Sequence, residues 1–139
     1  MEKKYKNLDH TGDLKIEAIG DTLEELIEQA SLALTDTMVE VSSVLPKQEA
    51  EWSITGEALE EILVNHLQEI LYRFDTEGMV FSKFQIRFPE ARILYCLAYG
   101  EPLDREKHGF KTELKAVTYH RLFIGQEQGR WVTRVVLDV

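Results

Sequence analysis

Cysteine occurs once in this 139-residue chain, at Cys96. Neither an intramolecular disulfide framework nor a cysteine-based zinc cluster is therefore available, and a reducing cytoplasm is the expected setting. Long apolar runs are missing as well. No stretch approaches the roughly 20 apolar residues that span a bilayer, and the opening residues, MEKKYKNLDHTGD, lack the apolar core of a signal peptide. No membrane association is expected. Positive charge is scarce: 16 Lys and Arg stand against 25 Asp and Glu, a net charge of −9. Such a field repels a phosphate backbone, so direct nucleic-acid binding is not expected, whereas a basic partner or a hard metal ion is. The chain also lacks G-x-x-x-x-G-K-[ST] and G-x-G-x-x-G loops, a G-x-S-x-G elbow and an H-E-x-x-H motif. Stand-alone catalysis has no advocate among these patterns.

What is present reads as one domain, residues 1–139, without repeats, linkers or low-complexity tracts. Leu14, Ile16 and Ala18 alternate with polar residues at the period of a half-buried strand. Asp21 and Thr22 each have a Glu three residues on, the signature of a capping box. Leu23, Leu26, Ile27, Ala30, Ala33, Leu34 and Met38 then recur at helical spacing. A short strand around Ala50, Trp52 and Ile54 precedes a second helix, predicted over residues 57–74, with Gly78 suited to its stop. From Met79 onward the pattern is all strand. A hairpin is predicted with Phe84, Ile86 and Phe88 on one arm and Ile93, Tyr95, Leu97 and Tyr99 on the other. A polar loop over residues 100–109, a strand over 113–124, a turn over 126–129 and a final strand over 130–139 follow. The predicted architecture is α+β: two helices packed on one face of a largely antiparallel or mixed β-sheet.

Four constellations could carry chemistry. In Asp9-His10-Thr11-Gly12-Asp13, two carboxylates four residues apart could converge with a hydroxyl on a hard cation; Asp and Thr also cap turns through local hydrogen bonds. In Val135-Val136-Leu137-Asp138-Val139, an acid sits in an apolar strand beside the Val139 carboxylate. A cation would relieve that repulsion, while a solvated strand end is the plainer reading. In Lys115-Ala116-Val117-Thr118-Tyr119-His120, His120 is either a base or ligand, or a satisfied structural residue. The loop with Gly100-Glu101 and Lys107-His108 is either solvated or a presenter of binding groups.

The order and spacing of these segments resemble the archease family nearly end to end. The resemblance rests on Leu8 to Asp13, on Gly20 to Glu25 opening the first helix and on Leu71 to Gly78 closing the second. It continues through Gly100-Glu101, Lys107-His108, Lys115 to His120 and Val136 to Val139. One departure is on the second helix, where relatives carry a Trp-Leu-Asn-Glu-like stretch and this chain has His66-Leu67-Gln68-Glu69.

The resemblance implies an accessory protein, not an enzyme: an activator of an RtcB-type RNA ligase in tRNA splicing and RNA repair. It would promote guanylylation of the ligase histidine and repeated turnover. It further implies a divalent-metal site formed by Asp13 and Asp138, with the Val139 carboxylate as a further ligand. Asp9, His10, Lys115 and His120 would be supporting or partner-facing residues. An all-oxygen ligand set suits Ca²⁺, Mg²⁺ or Mn²⁺. Two rivals stand beside this expectation: a chaperone-like modulator of a tRNA methyltransferase, and a metal-dependent hydrolase using Asp13, Asp138 and His120.

Overall fold

Thr22 starts the first helix. Its hydroxyl accepts from the Glu25 N–H at 3.1 Å, as the predicted capping box requires, while the Glu25 carboxylate accepts from the N–H of Asp21, one residue before the cap, at 2.6 Å. The computed structural model describes residues 3–10 and 13–139. Helix α1 spans Leu23–Met38 and buries Leu26, Ile27, Ala30, Ala33, Leu34 and Met38, the stripe its 3.6-residue period dictates. Helix α2 spans Leu59–Glu77 and ends at Gly78, whose φ of 63° is the left-handed conformation that glycine adopts without a Cβ penalty.

The strands divide into two antiparallel sheets. The larger contains β1 (Tyr5–His10), β2 (Asp13–Gly20), β6 (Ala116–Val117), β7 (Phe123–Glu127) and β8 (Arg130–Asp138). Its order is β1-β2-β8-β6, with β7 also pairing β8. The smaller has β5 (Ile93–Pro102) between β3 (Gln48–Thr55) and β4 (Met79–Glu90). Helix α1 touches β2 of the larger sheet and β4 of the smaller, and buried residues from both sheets and both long helices form one continuous core. The α+β class and the antiparallel pairing are as predicted. Periodicity shows which segments are strands but not which of them pair, so the division into two sheets was not legible.

Two local expectations are corrected, and the buried face of β5, which periodicity left open, is decided. The strand predicted over residues 113–124 is broken into the two-residue β6, a turn in which Arg121 has a φ of 52°, and the start of β7 at Phe123. On β5 the buried face carries Leu94, Cys96, Ala98 and Gly100, whereas Ile93, Tyr95, Leu97 and Tyr99 face outward. Packing is closest at Gly100, where a Cβ would lie 1.9 Å from the Val80 carbonyl oxygen, so that inner position accepts only glycine. The polar loop over residues 100–109 is in part the end of β5 and in part a short helix, α3 (Arg105–His108), capped by Asp104.

Candidate functional site

Strand β8 brings the two ends of the sequence together. It pairs with β2 in a register that ends at Leu14 opposite Leu137, so the next step sets Asp13 opposite Asp138. Alternation places both on the face shared by Lys15 and Val136, away from the buried Leu137. Both acids are exposed. Directly opposed residues on neighbouring strands have Cβ atoms about 5 Å apart, close enough for two carboxylates to share one cation.

On the other side of β8, Ala116 pairs with Asp138, and the Lys115 N–H donates to the Asp138 carbonyl at 2.8 Å. Lys115 therefore holds the backbone of the acidic strand end, and its own side chain is exposed. Thr118 fastens the following turn: its N–H and its hydroxyl both donate to the Val136 carbonyl, at 3.1 and 2.9 Å, and its hydroxyl accepts from the His120 N–H at 3.2 Å. The result is an open pocket of about 280 Å³ lined by Asp13, Lys15, His120, Arg121 and Val136.

Of the residues proposed from sequence, Asp13, Asp138, Lys115 and His120 thus gather at one end of the larger sheet. Val139 follows Asp138 and is exposed. Asp9 and His10 pair by backbone with Leu14 and Asp13; their side chains, like Thr11 and Gly12, lie outside the described residues. Among the described residues, no group of three or more His, Cys, Asp or Glu side chains is placed to hold a metal ion. A cation at Asp13 and Asp138 would therefore keep most of its positions for water or a partner, because hard divalent cations take six or more oxygen ligands. Sequence reasoning missed Lys15 and Arg121, and gave Thr118 no role within the segment Lys115 to His120. Lys15 was legible, two residues from Asp13 on the same strand face; Arg121 enters only through the turn.

Glu101 and His108 have a different role. The Glu101 carboxylate accepts from the Leu45 N–H at 2.8 Å, from the Lys107 ammonium at 2.9 Å and from His108 Nε2 at 2.8 Å. His108 Nδ1 accepts from the Asp104 N–H, which leaves the ring proton on Nε2 for Glu101. The Leu45 amide, His108 and Lys107 together hold the Glu101 carboxyl down at about 2. This cluster ties β5 and α3 to Leu45, two residues past the 3₁₀ turn at Val41–Ser43, so the segment is internal bracing and not a solvated loop.

The departure at His66 is also internal. Trp52 Nε1–H donates to His66 Nδ1 at 3.1 Å, and His66 Nε2 lies 2.8 Å from the Ser31 hydroxyl, which donates to the Ile27 carbonyl. The ring is fully buried, and burial pushes its pKa down to about 3, so it is neutral. An imidazole that both accepts and donates satisfies two buried polar groups at once.

Residues 5–139 match the archease protein family. The chain belongs to that family. It is 40% identical to the archease of Pyrococcus furiosus over 141 residues, covering 99% of both chains. Its fold matches the solution structure of a Methanobacterium thermoautotrophicum protein with a TM-score of 0.87 and 36% identity, covering 99% of this chain and 100% of that one. A crystal structure from Thermotoga maritima, described as an archease and possible chaperone, matches at a TM-score of 0.67 and 24% identity over 96% of each chain; that likeness supports the fold. Archease membership accounts for the end-to-end match. Within this chain, the conspicuous segments separate into an open strand end with Asp13, Asp138 and His120, and a closed corner with Glu101 and His108.

Proposed function

We propose that this archease is an accessory protein of an RtcB-type RNA ligase and promotes guanylylation of the ligase through a divalent cation held by Asp13 and Asp138. The observation that supports this reading most is the register of β2 on β8, which sets two exposed carboxylates opposite each other, one of which, Asp13, lines an open pocket. Like charges directly opposed on neighbouring strands are destabilising, and a cation relieves that repulsion. A bound divalent cation would supply positive charge to developing anionic oxygens. The chain's own residues do the rest. Asp13 and Asp138 offer oxygens, Lys115 and Thr118 hold the strand end and the turn in place, and the open side leaves ligand positions for the ligase.

An open two-carboxylate site suits an accessory role better than a self-contained active centre. An effector promotes a step only by favouring the competent state of its partner, and a tenfold gain in rate needs about 1.4 kcal/mol of that preference. The test is ligase guanylylation under multiple turnover with catalytic amounts of this protein. Stimulation by the wild type and none by Asp13→Ala or Asp138→Ala is expected. Equal stimulation by either variant would remove the acidic pair from the mechanism. A wild type that leaves a confirmed cognate ligase unchanged would remove the ligase as partner.

A further inference from the structure

The pocket beside the acidic pair is lined mostly by groups of the opposite character. Lys15, His120 and Arg121 share it with Asp13, over Val136. Lys15 and Arg121 have no carboxylate within salt-bridge distance among the described residues, although most other Lys and Arg side chains of this acidic chain do. Consecutive side chains of an extended strand point to opposite faces, yet His120 and Arg121 line the same pocket. The turn makes this possible. The Thr118 hydroxyl anchors the His120 N–H, and Arg121 takes a left-handed φ of 52°, which costs an L-residue roughly 1–2 kcal/mol.

Charge identifies the ligand. Of the residues that line the pocket, Asp13 carries one negative charge and Lys15 and Arg121 two positive ones, so the pocket is net positive even without a cation. A divalent cation on the carboxylates adds to that positive surplus, beside a guanidinium and an ammonium. A terminal phosphoryl group carries about two negative charges near neutral pH, presents oxygens that a guanidinium can grip in pairs, and can share a divalent cation with carboxylates.

We propose that the pocket formed by Lys15, His120 and Arg121 binds a terminal phosphoryl group together with a divalent cation held by Asp13 and Asp138. The inference rests on the reading of Asp13 and Asp138 as a cation pair and adds the anion that the pair would present. Arg121 and Lys15 contact the phosphoryl oxygens, and His120 supplies a further donor at the pocket wall.

Calorimetry on the full chain separates the two layers. Mg²⁺ alone is titrated first, and then inorganic pyrophosphate with and without saturating Mg²⁺. Pyrophosphate is expected to bind at least tenfold more tightly with Mg²⁺ present. Lys15→Gln and Arg121→Gly should each weaken that binding roughly tenfold, equivalent to about 1.4 kcal/mol, without weakening Mg²⁺ binding. Arg121→Gly suits a left-handed position, so loss of binding there does not come from misfolding. Mg²⁺ binding without pyrophosphate binding, or unchanged pyrophosphate binding in both variants, overturns the phosphoryl site and leaves the acidic pair standing. Absence of Mg²⁺ binding overturns the acidic pair and, with it, the site built on it. Competition by a nucleoside triphosphate but not by a nucleoside 3′-monophosphate would identify a polyphosphate end as the source, and the reverse a phosphorylated RNA end.

Discussion

His108 Nε2 lies 2.8 Å from Glu101 Oε2, with both side chains shut away from solvent. Glu101 also accepts from the Leu45 amide and from Lys107. Glu101→Gln replaces one acceptor oxygen by a donor, so one of these donors loses its partner. A lower Tm at pH 7 is expected. The carboxyl sits at about 2 in the fold against an ordinary 4.5, so its stabilisation is complete above pH 4.5 and is lost as pH falls from there toward 2. Thermal melts of wild type and variant should converge over that window; a constant difference would place the effect elsewhere.

His66 works in the same direction through a different cause. Its folded pKa of about 3 lies below the ordinary 6.5, so below pH 6.5 the unfolded chain binds the proton that the folded chain refuses. Stability therefore falls by roughly 1.4 kcal/mol per pH unit from 6.5 toward 3 on this account alone. His66→Phe should lower stability at pH 7 by about 1–3 kcal/mol, since Trp52 Nε1–H and the Ser31 hydroxyl lose a buried partner. The variant should also show a shallower loss between pH 6.5 and 4 in urea titrations. An unchanged slope would exclude the ring as the titrating group.

The acidic pair makes a prediction independent of any ligase. Asp13→Asn removes one of two opposed like charges, so without metal its Tm should equal or slightly exceed that of the wild type. Mg²⁺ at a hundredfold excess over its Kd should stabilise the wild type by about 2.7 kcal/mol and leave the variant unmoved. Equal shifts in both would place the cation away from Asp13.

Two glycines should respond differently to the same substitution. Gly78→Ala meets no atom within 4 Å and suffers only from its φ of 63°, a cost of roughly 1–2 kcal/mol. Gly100→Ala would drive a Cβ to 1.9 Å from the Val80 carbonyl oxygen, a backbone clash that exceeds the roughly 1–3 kcal/mol of ordinary core overpacking. Chemical denaturation should rank them accordingly; comparable losses would mean that the β4–β5 pair yields easily.

Much of the fold was legible because local signals agreed with the tertiary answer. The Thr22 and Glu25 cap, the apolar stripe of α1 and the Gly78 stop each depend on neighbours within one helical turn. Legibility failed where a distant partner decided the outcome. Periodicity on β5 allows either face to be buried, and the choice falls to Val80 crowding Gly100. The strand predicted over residues 113–124 is interrupted at 118–122 by Thr118 holding the turn onto β8. At the candidate site Asp13 and Asp138 were legible as isolated acids and through the family resemblance, whereas Lys15 and Arg121 join them only through β-sheet register and a left-handed turn. Gly100-Glu101 and Lys107-His108 stood out in sequence but gave no sign of being interior bracing.

The position of β8 between β2 and the β6 and β7 strands gives the two sheets different histories during synthesis. Strands β3, β4 and β5, with α2 among them, come from the continuous stretch 48–102 and can begin to pair while translation proceeds. The larger sheet must join residues 5–20 to residues 116–138, a loop closure spanning most of the chain. Strands β1 and β2 leave the ribosome first and wait longest for their partner, so the nascent chain carries an unpaired β2 edge until β8 arrives. The acidic strand end at Asp13 and Asp138 is therefore assembled last, and a chain stalled before β8 lacks it altogether.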